Sequence, residues 1–334
     1  MSASTPLTGV DLVLADLDGV IYKGPDAIEF AIDGMNQAGD TARLGYITNN
    51  ASRTAASVAE HLSSLGLTVA PDDVVTSPQA AVVLLAELVP AGSTILVIGG
   101  AGLIEEVTKA GFVATDSAED SPAAVIQGYF PEIGWVHLAE AAFALHTGIP
   151  WVATNTDWTI PVARGTAPGN GTLVSAVHTA VGRLPVVAGK PEKAIFDVAV
   201  QRFGASNPLF IGDRLDTDIL GANRAGIPSA LVLTGIDRAK QVLAADDKSR
   251  PTYVLEDLRE LHLPYPHPEH TENADGSVST RVRDAVVRRK GAGLYIDAMG
   301  DGRVDLLRAG SAAIWNSGAS IHSFVVPAEL YSWV

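Results

Sequence analysis

The sequence predicts an α/β fold: a doubly wound parallel sheet, a large inserted α/β segment and an extra C-terminal stretch. Three observations predict it. Apolar runs of strand length alternate with helix-like runs, the rhythm of a parallel sheet covered on both faces. That rhythm breaks off near residue 80 and resumes near 185, and the gap is too long and too regular to be a loop. The 334 residues, 47% of them hydrophobic, exceed the usual size of one domain and supply sizeable cores.

The elements follow in order. "GVDLVLA" reads as the first strand, with a helix over 27–38, the strand "RLGYIT" and a helix over 54–65. After the gap come "LPVVAG", a helix over 192–203, "PLFIG", a helix over 217–225 and "PSALVL". Near-continuous apolar strands suit a sheet buried on both sides. The gap holds the strands "STILVIG", "AAVIQGY" and "WVAT" and helices over 102–109, 135–146 and 171–181, with crossings at 77–86 and 183–185. The expected division is 1–80 and 185–262 for the two parts of the main domain, 81–184 for the insertion and 263–334 for a C-terminal extension. In that extension "LPYPHPEH" and "TENADGS" read as a linker, followed by a helix over 279–289 and then "GLYIDAM", "VDLLRAGSAAIW" and "SFVV". So short a stretch buries little alone and is expected to pack on the main body or on another subunit.

Charge and composition exclude whole classes of function. With 38 acidic against 23 basic residues the net charge is -15, which disfavours nucleic acid and anionic lipid. The absence of cysteine removes disulfides, thiolate nucleophiles and cysteine-held zinc. Any metal must then be held mainly by oxygen. The opening "MSASTPLTGV" has no positive leader or apolar run, and no later stretch reaches the roughly 20 apolar residues a membrane span needs, so a cytoplasmic protein is expected.

Four polar patches each follow a strand, where open parallel sheets place their ligands. "DLDGVIY" puts Asp16 and Asp18 past "GVDLVLA", with Gly19 to turn the backbone; the pair can bind magnesium and leave one oxygen to attack an electrophile. A calcium loop would need glutamate at its twelfth position, which here is Ala27. "YITNNASRT" offers Thr48 and Asn49 to phosphate oxygens, although Asn50, Ser52 or Thr54 can equally cap the next helix. "AGKPEKAIF" brings Lys190 to a helix start, where a lysine serves a phosphate better than it serves the helix dipole, while Lys193 reads as solvated. "FIGDRLDTDILGANRAG" has Asp213, Asp216 and Asp218 in six residues, mutually repulsive without a counterion.

Taken together and in this order, "DLDGV", "ITNN", "GKP" and "GDRLDTD" resemble the four motifs of the haloacid dehalogenase superfamily of aspartyl phosphatases, over about residues 8–262. The inserted segment is similar to the large α/β cap, of C2a type, in the branch of 4-nitrophenyl, phosphoglycolate, glycerol-phosphate and pyridoxal-phosphate phosphatases. The resemblance implies Asp16 as the nucleophile and Asp18 as the general acid and base. It implies magnesium held by Asp16, the Asp18 carbonyl and Asp213, with Asp218 supporting from behind and Asp216 a lesser supporter. It assigns Thr48, Asn49, Asn50 and Lys190 to the phosphoryl group.

"TNTDWTIPVARGTAPGNGTL", residues 154–173, resembles the branch's specificity loop. Asn155 and Asp157 would order it, and Trp158, Thr159, Ile160 and Arg164 would face substrate. The loop has no basic cluster for a large polyanion. Glycerol 3-phosphate and phosphoglycolate both fit, and the alanine-rich, acidic, actinobacterial composition leans to the former, with pyridoxal phosphate or a nucleotide behind. The branch also implies a homodimer through the cap. Other readings are a phosphotransferase, a phosphometabolite-binding module that does no chemistry, and a nicotinamide site at "VIGGAGLIEEV", which only approximates the glycine fingerprint. His262, His267 and His270 read as exposed linker residues, and Trp151 as core.

Overall fold

Leu12–Ala15 (β1) is an unbroken apolar run with every side chain buried, ending where Asp16 begins. The computed structural model describes residues 4–162 and 164–333. The chain divides into two units, Met1–Leu44 with Ala205–Val334, and Gly45–Gly204. In the first unit Tyr22–Lys23 (β2) and Asp26–Ala27 (β3) form a small hairpin before the helix Ala31–Ala38 (α1). The helix expected from residue 27 thus starts later, because Phe30 takes a left-handed conformation, φ 63°, that interrupts it. Arg43–Thr48 (β4) then carries the chain into the second unit.

That unit continues with Ala55–Ser64 (α2), whose first turn is capped by the Thr54 hydroxyl accepting from Ser57 N–H at 3.1 Å. Val74–Thr76 (β5) pairs in parallel with β4, setting Thr76 opposite Thr48. There follow Ser77–Leu88 (α3), Thr94–Ile98 (β6), Ala101–Lys109 (α4), Val113–Thr115 (β7), Ala124–Gln127 (β8), Trp135–Leu145 (α5) and Trp151–Ala153 (β9). Next are Thr159–Val162 (β10), Gly165–Pro168 (β11), Asn170–Val181 (α6), Val186–Val187 (β12) and Lys193–Phe203 (α7). Five of these strands make a parallel sheet in the order β12-β9-β8-β6-β7. Leu96, Ile98, Val125 and Trp151 from its strands meet Val174 and Val177 of α6 in one core.

One expectation is corrected here. Residues 77–86 are not a bare crossing but most of α3, which packs on both α4 and α7. The stretch 154–173 contains an antiparallel hairpin, β10 with β11.

The first unit resumes with Pro208–Gly212 (β13), a π-helical turn Leu215–Ile219 running into Leu220–Ala225 (α8), Ser229–Val232 (β14), Ala239–Ala244 (α9) and Tyr253–Leu255 (β15). Within it the parallel order is β15-β14-β13-β1, with Leu12 opposite Pro208 and Ala15 opposite Ile211. The carboxyl ends of β1 and β13 therefore lie side by side.

The C-terminal stretch differs most from expectation. Glu269–Glu272 (β16), Val278–Val282 (β17), Ala285–Lys290 (β18) and Gly293–Ala298 (β19) form an antiparallel sheet, and Arg303–Trp315 (α10) packs on β17 and β18. The helix predicted over 279–289 is the β17–β18 hairpin, whose turn puts Arg283 at φ 48° without a glycine. The predicted linker is pinned: the Tyr265 hydroxyl accepts from Val254 N–H at 3.0 Å, and Pro264 O accepts from Arg283. His262 is held too, with Nε2 2.9 Å from the Gly34 carbonyl oxygen.

Every residue of α10 from Val304 to Ile314 is buried. Val282, Val287 and Leu294 of the sheet share one core with Leu307 of α10 and with Leu231 and Val254 of the parallel strands. Arg308, a residue 4% exposed, donates through its guanidinium to Asp305 at 2.7 Å, Glu260 at 2.6 Å and the Val254 carbonyl.

Candidate active site

In the first unit β1 and β13 deliver Asp16 and Asp213 from their carboxyl ends, and the π-helical turn brings back Asp218. Oxygens of all three lie within 4.8 Å of one another, and all three residues are buried. Asp218 Oδ2 accepts from Asp213 N–H and Arg214 N–H, both at 3.1 Å, which fixes the backbone on which Asp213 stands. Asp213 Oδ2 accepts from Ile236 N–H at 2.7 Å. A β-carbon on Gly19, at φ +84°, or on Gly235 would run into the Asp213 carboxylate, so both glycines are required by close approach.

The donor set is oxygen only, tightly gathered and negatively charged, which fits magnesium or another hard cation. Asp18, two residues past Asp16, is exposed, and its neighbour Gly19 donates N–H to Tyr22 O at 2.9 Å. Asp216 is not in the cluster; it forks with Arg214 at 2.8 and 3.0 Å. Sequence reasoning passed over Asp237, which accepts from Leu215 N–H at 2.6 Å and so anchors the turn that presents Asp218. Burial pushes its carboxyl up, opposed by that hydrogen bond. Its signal, "TGID" just past β14, was one more acidic residue at a strand end.

In the second unit Thr48 and Lys190 are buried and Asn49 and Asn50 half-buried. Thr48 Oγ1 accepts from Asn50 N–H at 3.1 Å, leaving its proton to donate. The Asn50 carboxamide oxygen caps the next turn through Ser52. The Asn49 carboxamide engages Asp157 and the Lys190 backbone. Of the loop residues, Asp157 joins this group; Ile160 is half-buried in β10, while Trp158, at 66%, Thr159 and Arg164 are exposed on the hairpin and its approaches. Trp158 is therefore not packed inside its unit, and Trp151 is core as expected.

A family model of haloacid dehalogenase-like hydrolases matches residues 13–113, and a HAD-hydrolase-like model matches 187–261. Among curated proteins the chain is 41% identical over 316 residues, 93% of its own length and 87% of the relative's, to D-glycerol 3-phosphate phosphatase of Mycobacterium tuberculosis. The chain belongs to the haloacid dehalogenase-like hydrolases. Another member, acid sugar phosphatase of Staphylococcus saprophyticus, is 33% identical over 252 residues, 74% of this chain and 95% of that protein. Among solved structures, the glycerol phosphate phosphatase of Mycobacterium tuberculosis in complex with magnesium superposes with TM-score 0.86 at 39% identity, covering 94% of this chain and 93% of that one. The family's α/β fold is the one expected from the sequence. Among the described residues no helix is long and apolar enough to cross a membrane.

Proposed function

We propose that this member of the family is a magnesium-dependent phosphatase that hydrolyses glycerol 3-phosphate through an aspartyl-phosphate intermediate. The observation that carries the chemistry is the convergence of Asp16, Asp213 and Asp218 at the ends of two parallel strands. Similarity over 93% of the chain to a D-glycerol 3-phosphate phosphatase supports the substrate.

In this reading an Asp16 oxygen attacks phosphorus and the bond to the ester oxygen breaks. Asp18 gives its proton to the departing alkoxide, then takes one from the water that attacks the aspartyl phosphate, which regenerates Asp16 and frees inorganic phosphate. Asp16, the Asp18 carbonyl, Asp213 and, from behind, Asp218 would hold magnesium, which when bound screens the repulsion between carboxylate and phosphate. Thr48 and Lys190 are assigned to the phosphoryl oxygens. Residues 81–184 are the cap, with Trp158, Thr159, Ile160 and Arg164 facing the ester. The reading extends to a cytoplasmic enzyme without nucleic-acid or membrane partners, in keeping with the charge of -15, and to a homodimer formed through the cap.

Phosphoglycolate is the second reading, favoured by Arg164, exposed at the hairpin turn where it can meet a carboxylate. The test is phosphate release with magnesium from glycerol 3-phosphate, phosphoglycolate, pyridoxal phosphate, a nucleoside monophosphate and 4-nitrophenyl phosphate. The highest kcat/KM is expected for glycerol 3-phosphate. Failure to hydrolyse any of them, the aryl ester included, would overturn the reading.

A further inference from the structure

We propose that the Asn49 side chain is a positioning residue that locks the segment carrying Lys190 to the specificity loop, so that the setting of the lysine and the choice of ester depend on one carboxamide. The inference rests on the proposed roles of Lys190 and of the loop around Asp157.

A carboxamide offers two N–H donors and one acceptor oxygen with two lone pairs. Asn49 Nδ2 donates to the Lys190 carbonyl at 3.0 Å, and Asn49 Oδ1 accepts from Lys190 N–H at 2.8 Å. Both polar groups of one peptide residue thus bind one planar side chain, which fixes the direction in which the lysine leaves the backbone. Asn49 Nδ2 also lies 3.2 Å from each Asp157 carboxylate oxygen, a charge-assisted contact. The same residue's main chain continues the lock, since its carbonyl accepts from Asn155 Nδ2 and from Ser77 Oγ, each at 2.8 Å.

The loop is held from its far side as well. Asn155 Oδ1 accepts from Asp157 N–H at 3.1 Å, and the Asn155 carbonyl accepts from the buried Asn170 side chain at 2.7 Å. Gly189 N–H donates to Thr154 O at 2.8 Å, and a β-carbon at Gly189 would lie 2.6 Å from Asn49 Oδ1. Lys190 and Asn155 are at most 4% exposed, and hydrogen bonds so shielded from water are stiff. The loop's outer residues Trp158 and Thr159 are exposed. The base of the specificity loop is therefore pinned to the carboxamide that orients Lys190, while its tip stays open to an ester.

A chain with Asn49→Ala is expected to lose kcat by about 10-fold or more on both glycerol 3-phosphate and 4-nitrophenyl phosphate, the usual scale for removing an outer support. It should also lose preference between the two esters, as Asp157→Ala does, and the double variant should lose no more preference than Asn49→Ala alone. Asn49→Asp sets a carboxylate against Asp157 and should be impaired, with Asp157→Asn restoring at least part of the loss by returning a donor to the pair. That pair decides the matter even if Asn49→Ala fails to fold. The readout independent of turnover is hydrogen exchange in protein without metal or substrate: Asn49→Ala or Asn49→Asp should speed exchange in residues 153–158 and 188–192 together. Exchange rising in one segment only, independent multiplication of the two losses of preference, or no rescue of Asn49→Asp would each overturn the proposal. If the unsubstituted protein hydrolyses no ester, the proposed function falls, and the exchange experiment still decides the lock.

Discussion

Two buried charge clusters in the first unit contrast in composition. At the ends of β1 and β13, Asp16, Asp213 and Asp218 gather charges of one sign within 4.8 Å. On α10, Arg308 is set between Asp305 and Glu260, with Nε and Nη2 also donating to the Val254 carbonyl. Like charges brought together under burial raise the folded state's energy unless a cation joins them, whereas opposite charges with full hydrogen bonding close a core. The first arrangement is what a site built for a metal and an anion needs. The second does its work without a ligand.

The contrast can be broken or sharpened by experiment. The largest effect is expected from Asp16→Asn, which should lower kcat by roughly four orders of magnitude, the scale on which loss of a covalent nucleophile acts, while the melting curve stays cooperative. A substantial residual rate would remove Asp16 from the nucleophile's role. Arg308→Ala should act on the fold: it leaves Asp305 with Arg283 and Glu260 with the Glu256 N–H as their remaining partners, and is expected to destabilise by about 3 kcal/mol in urea unfolding. Replacing Arg308, Asp305 and Glu260 together by apolar residues of similar volume should recover much of that loss.

Magnesium should next separate the clusters by linkage. At about 100 times Kd it should stabilise the protein by about 2.7 kcal/mol, and Arg308→Ala by a similar increment, but Asp213→Asn by much less. Equal stabilisation of all three would mean that the ion binds elsewhere.

The smallest effect concerns Tyr265, whose ring lies 4.8 Å from the Arg308 guanidinium carbon. Burial raises its phenol above the ordinary value near 10, with Arg308 pulling the other way. The folded state thus favours the protonated form, so this contribution is present in full below about pH 10 and is lost as pH climbs through the raised value. Tyr265→Phe should cost about 1 kcal/mol near neutrality, for the lost Val254 hydrogen bond, and should flatten the fall in stability above about pH 10. Parallel pH profiles for the two proteins would count against the assignment.

The two clusters were unequally legible. Strand β13 was read at its true bounds because "PLFIG" is apolar throughout and stops at a glycine, and the carboxylates follow within six residues. Helix α2 was legible from Thr54, a capping residue before an amphipathic run. The C-terminal sheet was not. Val282 and Val286 stand four apart, a spacing a helix shares, and the turn between their strands falls on Arg283, where neither glycine nor asparagine announces it. The Arg308 cluster was not legible either, since its partners lie 3 and 48 residues away. Asn49 was legible as a polar residue at a strand end, but not as a lock, because its partners Asp157 and Lys190 lie 108 and 141 residues on.

Strand β1 pairs with β13, so two neighbouring strands of the first unit are separated in sequence by the whole of Gly45–Gly204. During synthesis the whole of the interposed unit is made between the two strands, which at about 5–20 residues per second separates β1 from β13 by roughly 10–40 s. Asp16 spends the same interval apart from Asp213 and Asp218, so no metal can be captured at that cluster until the second unit has already been made.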